Sequence, residues 1–288
     1  MTFGIIGNLE KRGLQEAVSL LVDALKRSGE KYCMQEEIAV VLGGKERYVC
    51  APSEKCIQQS DMVIAFGGDG TMLAVARLVG MRQVPILGVN LGKLGFLAEL
   101  SPDDMEQAIG DIVAGKYLVE DRLVLQGSTP AKPGKTYFGV NDFVIGRSHS
   151  PRIIDIETFI DGAFAVTYRG DGLIISTPTG STAYALSNGG PIVTPTSRVI
   201  GITPISPHTL SGRPLVVPDS STIRIIIRSH TEEILFSADG QTEEFFTPPA
   251  ELTVRKAAHS MRLVRRPEKS YFDLLRAKLL WGQDARAR

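Results

Sequence analysis

The stretch DMVIAFGGDGTMLAVARLVG, residues 61–80, runs from a continuous apolar segment into a glycine-rich turn. It then continues with apolar residues at helical spacing. A buried strand, a tight turn and a helix form the first half of a βαβ unit, and VPILGVN (84–90) supplies the returning strand, so a parallel sheet is expected. Upstream, TFGIIG (2–7) reads as another short buried strand. GLQEAVSLLVDALKRSG (13–29) follows it, with Leu14, Ala17, Val18, Leu21 and Leu25 on one helical face. Lys26 and Arg27 suit the negative end of that helix, and Gly29 stops it. SPDDMEQAIGDIVAGK (101–116) predicts a further helix, with Ser101 as N-cap, Pro102 at its first position, and Met105, Ile109, Ile112 and Val113 on one face before Gly115.

From about residue 118 the pattern changes to short alternating segments: RLVLQG, YFGVNDFVIG, RIIDIETFI, AFAVTY, TIRIIIRS and EILFSADG. Asp161-Gly162 between two such segments is a hairpin signal. The expected organisation is an α/β domain with a parallel sheet over 1–100, joined by the tail 266–288, and a mostly β domain over 101–265. In the tail, YFDLLRAKLLWG carries Phe272, Leu275 and Leu279 at helical spacing. That predicts a C-terminal helix packing back on the first domain.

Composition narrows the function classes. The 288 residues carry 32 basic and 32 acidic side chains, which leaves no electrostatic footprint for nucleic acid or an anionic membrane. Cys33, Cys50 and Cys56 form no CxxC, and His149, His208, His230 and His259 form no HxxxH, so no metal-ligand set is picked from the sequence. No apolar run reaches about 18 residues and the first residues carry no basic n-region, so a soluble cytoplasmic chain is expected.

Three segments could carry chemistry. Gly68, Gly70 and Thr71 around Asp69 could turn backbone N–H groups toward a phosphate at a helix start, while a plain strand-to-helix turn explains the same glycines. Neither GxxxxGK[ST] nor GxGxxG is present. GDGLIISTPTGSTAYALSNGG (170–190) runs a buried strand into hydroxyls and glycines beside Tyr184. That mixture suits a nucleotide floor or simple helix capping. VNDFVIG (140–146) sets Asn141 and Asp142 inside a strand pattern, which asks for a bulge or a recognition role. SADGQ (237–241) reads most simply as a hairpin turn.

GGDGT, GVNLGKLGFLAEL, VNDFVIGR, YRGDGLIISTPTGSTAYALSNGGPIV, PISPHTLSGRPLVV and SADGQ, in that order, resemble the NAD kinase family. The resemblance implies ATP-dependent phosphorylation of NAD at the 2′-hydroxyl of its adenosine ribose. It also implies a divalent cation such as Mg²⁺, and active sites shared between the subunits of a homodimer or homotetramer. By motif, Asp69 resembles the catalytic carboxylate with Gly68, Gly70 and Thr71 at the phosphates. Asn141 and Asp142 resemble the dinucleotide-binding pair, Asp171 the carboxylate at the nicotinamide end, and Arg169 the base near the 2′-phosphate. Thr182, Ala183, Tyr184 and Ser187 fall on the adenine side, and Asp239 and Gln241 belong to the SADGQ segment. Asp142 stands where many members have Glu, and Asn188 where Ala is common. A lipid or sphingoid kinase would share the GGDGT turn, and an NAD-binding reductase would share only the cofactor.

Overall fold

The computed structural model describes residues 1–98, 100–148, 152–209, 211–229, 233–267 and 270–280. His149, His230, and Trp281 and Gly282 of the tail motif lie outside the described residues. The chain divides into two compact units, Met1–Asp121 with Met261–Arg288, and Arg122–Ser260.

The first unit is built on β1 (Thr2–Gly7), β2 (Lys31–Gln35), β3 (Cys50–Ala51), β4 (Met62–Phe66), β5 (Ile86–Val89), β6 (Leu118–Arg122) and β19 (Met261–Arg265). They form one sheet in the order β3-β2-β1-β4-β5-β19-β6, with parallel pairing from β3 through β19. β4 is buried at every position, as a strand covered on both faces must be. Its helices are α1 (Leu14–Arg27), α2 (Glu36–Val41), α3 (Ser53–Gln58), α4 (Asp69–Val79), α5 (Met105–Val113) and α7 (Tyr271–Leu279). The expected α1 face is buried, together with Val22 and Ala24.

Several expectations need correction. The division falls after Asp121 and after Ser260, rather than after 100 and 265. The reason is that α5 buries Met105, Ala108, Ile109 and Ile112 in the same core as α1, while β6 and β19 complete the first sheet. Val113 is exposed instead of joining that face. In α7 the buried residues are Leu274 and Leu275, while Phe272 and Leu279 are exposed. Pro102–Asp104 form a 3-10 turn ahead of α5, and the Ser101 hydroxyl donates to the Asp104 carboxylate at 3.0 Å instead of capping the helix. α7 carries a full capping box, in which Ser270 and Asp273 satisfy each other's backbone N–H.

The second unit contains two antiparallel sheets on one core. The first holds β7 (Leu125–Ser128), β8 (Thr136–Gly139), β10 (Ile154–Ile160), β11 (Ala163–Gly170), β15 (Ile223–Arg228) and β18 (Ala250–Lys256), in the order β11-β10-β15-β18-β7-β8. The second holds β9 (Asp142–Arg147), β12 (Gly172–Ser176), β13 (Val199–Ile205), β14 (Leu215–Pro218), β16 (Ile234–Ala238) and β17 (Thr242–Phe246), in the order β14-β13-β12-β9-β16-β17. Ile156, Ile225 and Val254 of one sheet share a core with Phe143, Leu173 and Phe236 of the other, as in a sandwich. The Asp161-Gly162 hairpin forms between β10 and β11, with both turn residues at positive φ (50° and 84°). YFGVNDFVIG is two strands, not one: β8 and β9 belong to different sheets, and Val140–Asn141 make the crossing. The STAYALS segment is a 3-10 turn, Thr179–Thr182, followed by the short α6 (Tyr184–Ser187).

Candidate active site

Each unit contains one cluster of the residues singled out from the sequence. In the first unit β1 and β4 are neighbours; the chain leaves β1 toward β2 on one side and β4 toward β5 on the other. Ligands of such sheets lie beyond the carboxyl ends of the strands at this switch point. The glycine turn stands there, with Gly68 as N-cap of α4 and Asp69 as its first helical residue. Gly70 is exposed, and Asp69 and Thr71 are half-buried. A carboxylate at this position also meets the positive end of the helix dipole.

The Asp69 carboxylate is held by the loop after β5. Oδ2 accepts the N–H of Phe96 and Oδ1 the N–H of Leu97, both at 2.9 Å. Each oxygen keeps lone-pair capacity for one further partner. The loop can approach only because residue 95 is glycine: a Cβ there would stand 2.1 Å from Asp69 Oδ1. Lys278 of α7 lies over the Phe96 ring, 5.4 Å from its centroid. Sequence reasoning assigned no role to Gly95, Phe96 or Leu97. GKLGFL was part of the family likeness, but backbone donors leave no residue-type signal.

In the second unit the sheet-crossing residues Val140 and Asn141 are fixed from two sides. Thr177 Oγ1 donates to the Val140 carbonyl at 2.6 Å, and Thr177 N–H donates to the Asn141 carbonyl at 2.8 Å. Gly180 lies against the same carbonyl, where a Cβ would come within 2.0 Å of the Asn141 oxygen. From the other side Asp239, in the β16–β17 turn, accepts the N–H groups of Val140 (2.9 Å), Asn141 (2.7 Å) and Asp142 (3.0 Å). Thus Asn141, Asp142 and Asp239 meet the STPTG segment at one end of β12, where Asp142 pairs with Ser176. Asp142 is 5% exposed. Burial first, and then the negative charge of Asp239, push its carboxyl up to about 7.

The remaining candidates spread along this unit. Thr182 Oγ1 donates to the Thr179 carbonyl at 3.2 Å, which is local capping; Ala183 follows, and Tyr184 and Ser187 are exposed on α6. The Asn188 side chain donates to the Tyr184 carbonyl at 2.9 Å. Gln241 sits in the Asp239 turn, its N–H donating to Ala238 at 3.0 Å. Arg169 is exposed and pairs with Asp155 at 3.5 Å, and Asp171 pairs with Arg147 at 3.3 Å. Asp171 precedes Gly172, whereas Asp142 pairs with Ser176, so the five residues of β12 separate them by about 15 Å. Asp171 and Arg169 are therefore not brought to Asn141 within one unit.

Among the described residues, no group of three or more His, Cys, Asp or Glu could hold a metal ion. A cation of the Mg²⁺ type, which needs only one or two carboxylates beside substrate phosphates, fits a lone Asp69 at a phosphate turn. No described helix is long and apolar enough to cross a membrane.

Known proteins resemble this chain in sequence and in fold. Residues 3–117 match the ATP-NAD kinase N-terminal domain, and residues 140–266 match the ATP-NAD kinase C-terminal domain. An NAD kinase of Bacteroides fragilis is 39% identical over 290 residues, covering 99% of this chain and 100% of the relative. An NAD kinase of Geobacter sulfurreducens is 41% identical over 271 residues, covering 93% and 94%. Among solved structures, a yeast NADH kinase complexed with NADH superposes with a TM-score of 0.89 at 27% identity, over 100% of this chain and 90% of that one. An NAD kinase from Archaeoglobus fulgidus in complex with ATP superposes at 0.77 with 26% identity, over 96% and 97%.

Proposed function

The chain belongs to the NAD kinase family and phosphorylates NAD to NADP with ATP as donor, and we propose how its residues divide that work. Asp69 is the general base. It takes the proton of the adenosine ribose 2′-hydroxyl as that oxygen bonds to the γ-phosphorus of ATP and ADP leaves with the broken P–O bond. The single observation that carries this role is the pair of amide bonds from Phe96 and Leu97, which aim a half-buried carboxylate at the phosphate turn. A ribose hydroxyl is a poor nucleophile, and a positioned base contributes roughly 10²–10⁴-fold. The repulsion between Asp69 and the triphosphate is offset by the N–H groups at the start of α4, around Gly68, Gly70 and Thr71. When bound, a divalent cation such as Mg²⁺ would neutralise phosphate charge. Direct metal contact is the second role open to this carboxylate.

In the second unit, Asn141 and Asp142 bind the dinucleotide, with Thr182, Ala183, Tyr184 and Ser187 along its adenine side. The hydroxyls and the exposed Tyr184 ring support that reading. Asp171 serves the nicotinamide end and Arg169 the 2′-phosphate. Their separation from Asn141 along β12 supports a homodimer or homotetramer in which one subunit lends them to the site of another. A cytoplasmic setting goes with these substrates.

The test is a coupled assay for NADP with NAD and ATP, with and without Mg²⁺, run beside NADH, other triphosphates and polyphosphate. NADP formation that requires the divalent cation is expected. Phosphorylation of a lipid or sphingoid base in place of NAD would overturn the reading.

A further inference from the structure

Aspartate before glycine in a tight hairpin turn usually needs no further explanation, since Asp-Gly suits positive φ angles. Asp239, at φ 54° before Gly240 at 65°, satisfies that rule. Its carboxylate does more. It is the common acceptor for three consecutive backbone N–H groups that lie nearly a hundred residues earlier in the chain. The turn is locked back as well, for the Asp239 N–H donates to the Asp142 carbonyl at 3.0 Å. Asp161, in the other Asp-Gly hairpin, is an internal comparison: its carboxylate accepts one N–H, that of Thr222, at 2.7 Å. Three converging amides form an anion nest, and here the protein fills it with its own carboxylate.

We infer that Asp239 is a positioning residue of the dinucleotide site: it fixes the backbone that presents Asn141 and Asp142. Three of the bonds the Asp239 carboxylate accepts go to these amides. The element packed on the other side, with Ser176, Thr177 and Gly180, brings hydroxyls and backbone, and the buried Arg122 guanidinium donates to its Thr179 hydroxyl at 3.4 Å. Burial raises the Asp142 carboxyl, and the negative charge of Asp239 adds to that rise. A carboxylate that needs its neighbour's geometry yet is discouraged from ionising by its neighbour's charge is a coupled pair.

The kinetic part rests on the NAD kinase reading; the titration part does not. Carboxyl ¹³C NMR of the full chain without substrates follows Asp142 in the wild type, in Asp239→Asn and in Asp239→Glu. In Asp239→Asn the Asp142 midpoint is expected to fall by about one pH unit or more, because a neighbouring like charge is gone. The KM for NAD should rise about tenfold while kcat stays within about threefold, as expected when presentation of a binding pair is lost. The pH profile of kcat/KM for NAD should move to lower pH by the same shift. Asp239→Glu keeps the charge but misplaces it, so the midpoint should stay high while KM rises. Asp161→Asn should leave KM and profile unchanged. An unmoved Asp142 midpoint in Asp239→Asn, or a wild-type KM in Asp239→Glu, overturns the inference. Should Asp239→Asn not fold, the Asp239→Glu arm decides. Absence of NADP formation by the wild type would strike the family reading alone and leave the titration result standing.

Discussion

Gly95 presses against Asp69 so closely that no side chain fits between them: a Cβ on residue 95 would stand 2.1 Å from Asp69 Oδ1. The colliding atom is the group whose aim the reaction needs, so relief of the clash rotates the carboxylate or withdraws the Phe96 and Leu97 amides. Gly95→Ala should therefore cut kcat by about 100-fold or more, the range for losing a positioned base. NAD affinity and the circular dichroism spectrum should stay close to wild type. A kcat within about twofold of wild type would show that Asp69 does not depend on this contact.

Asp69→Asn keeps the shape and one acceptor oxygen but cannot take a proton. Turnover should fall by about 3–5 kcal/mol of barrier, with NAD binding by calorimetry preserved. If Asp69 instead serves a cation alone, added Mn²⁺ or Mg²⁺ should restore a good part of the rate.

Asp142 makes stability depend on pH with a definite sign. Its carboxyl is raised from 3.8 to about 7 in the folded chain, so between those values the folded state holds a proton that the unfolded chain releases. Stability thus falls as pH rises from about 4 to 7 and levels off above 7. Asp142→Asn removes this term. Urea unfolding at pH 5, 6, 7 and 8 should show the variant gaining on the wild type by on the order of a few kcal/mol across that window. A constant difference between the two proteins at all four pH values would contradict a raised carboxyl.

Thr177 is 1% exposed, and its hydroxyl both donates to the Val140 carbonyl (2.6 Å) and accepts the Gly180 N–H (3.0 Å). Thr177→Val keeps the volume and leaves both backbone groups unpaired. The expected cost is about 2–6 kcal/mol in unfolding free energy, at one to three per orphaned group. A loss below about 0.5 kcal/mol would mean that water replaces the hydroxyl.

If subunits lend Asp171 to one another, mixing two inactive variants should regenerate intact sites. Asn141→Ala and Asp171→Ala, unfolded together and refolded, should recover about a quarter of wild-type activity in a randomly assorted dimer. No recovery, with dimers present by light scattering, would place both residues in the same subunit's site.

Much of the first unit was legible in the sequence, because α1, β4 and the turn at Gly68 each follow a local period or a local conformational need. The stretch 31–58 was not: β2, α2, β3 and α3 are two to six residues each, too short for a period to declare itself. The crossing at Val140–Asn141 left a trace in the polar pair Asn141-Asp142, but apolar residues on both sides read as one strand, so the change of sheet was hidden. Val113 and Phe272 misled because an apolar side chain near a helix end satisfies the spacing rule without being covered. At the candidate site the motif residues stood out by type, but the groups that aim them did not. The N–H groups of Phe96 and Leu97 belong to the backbone, and the grip of Asp239 on Val140 joins positions 99 residues apart.

The sheet order carries a consequence for biosynthesis. β19 lies between β5 and β6, with Leu263 beside Ile86, so the second unit is an insertion within the first. A ribosome delivers every strand of the sandwich before it delivers β19. The inserted unit can therefore close while the older half of the chain still waits with an unfinished sheet. During that interval β5 presents an open, fully apolar edge, the kind of surface that chaperones hold and that aggregation exploits.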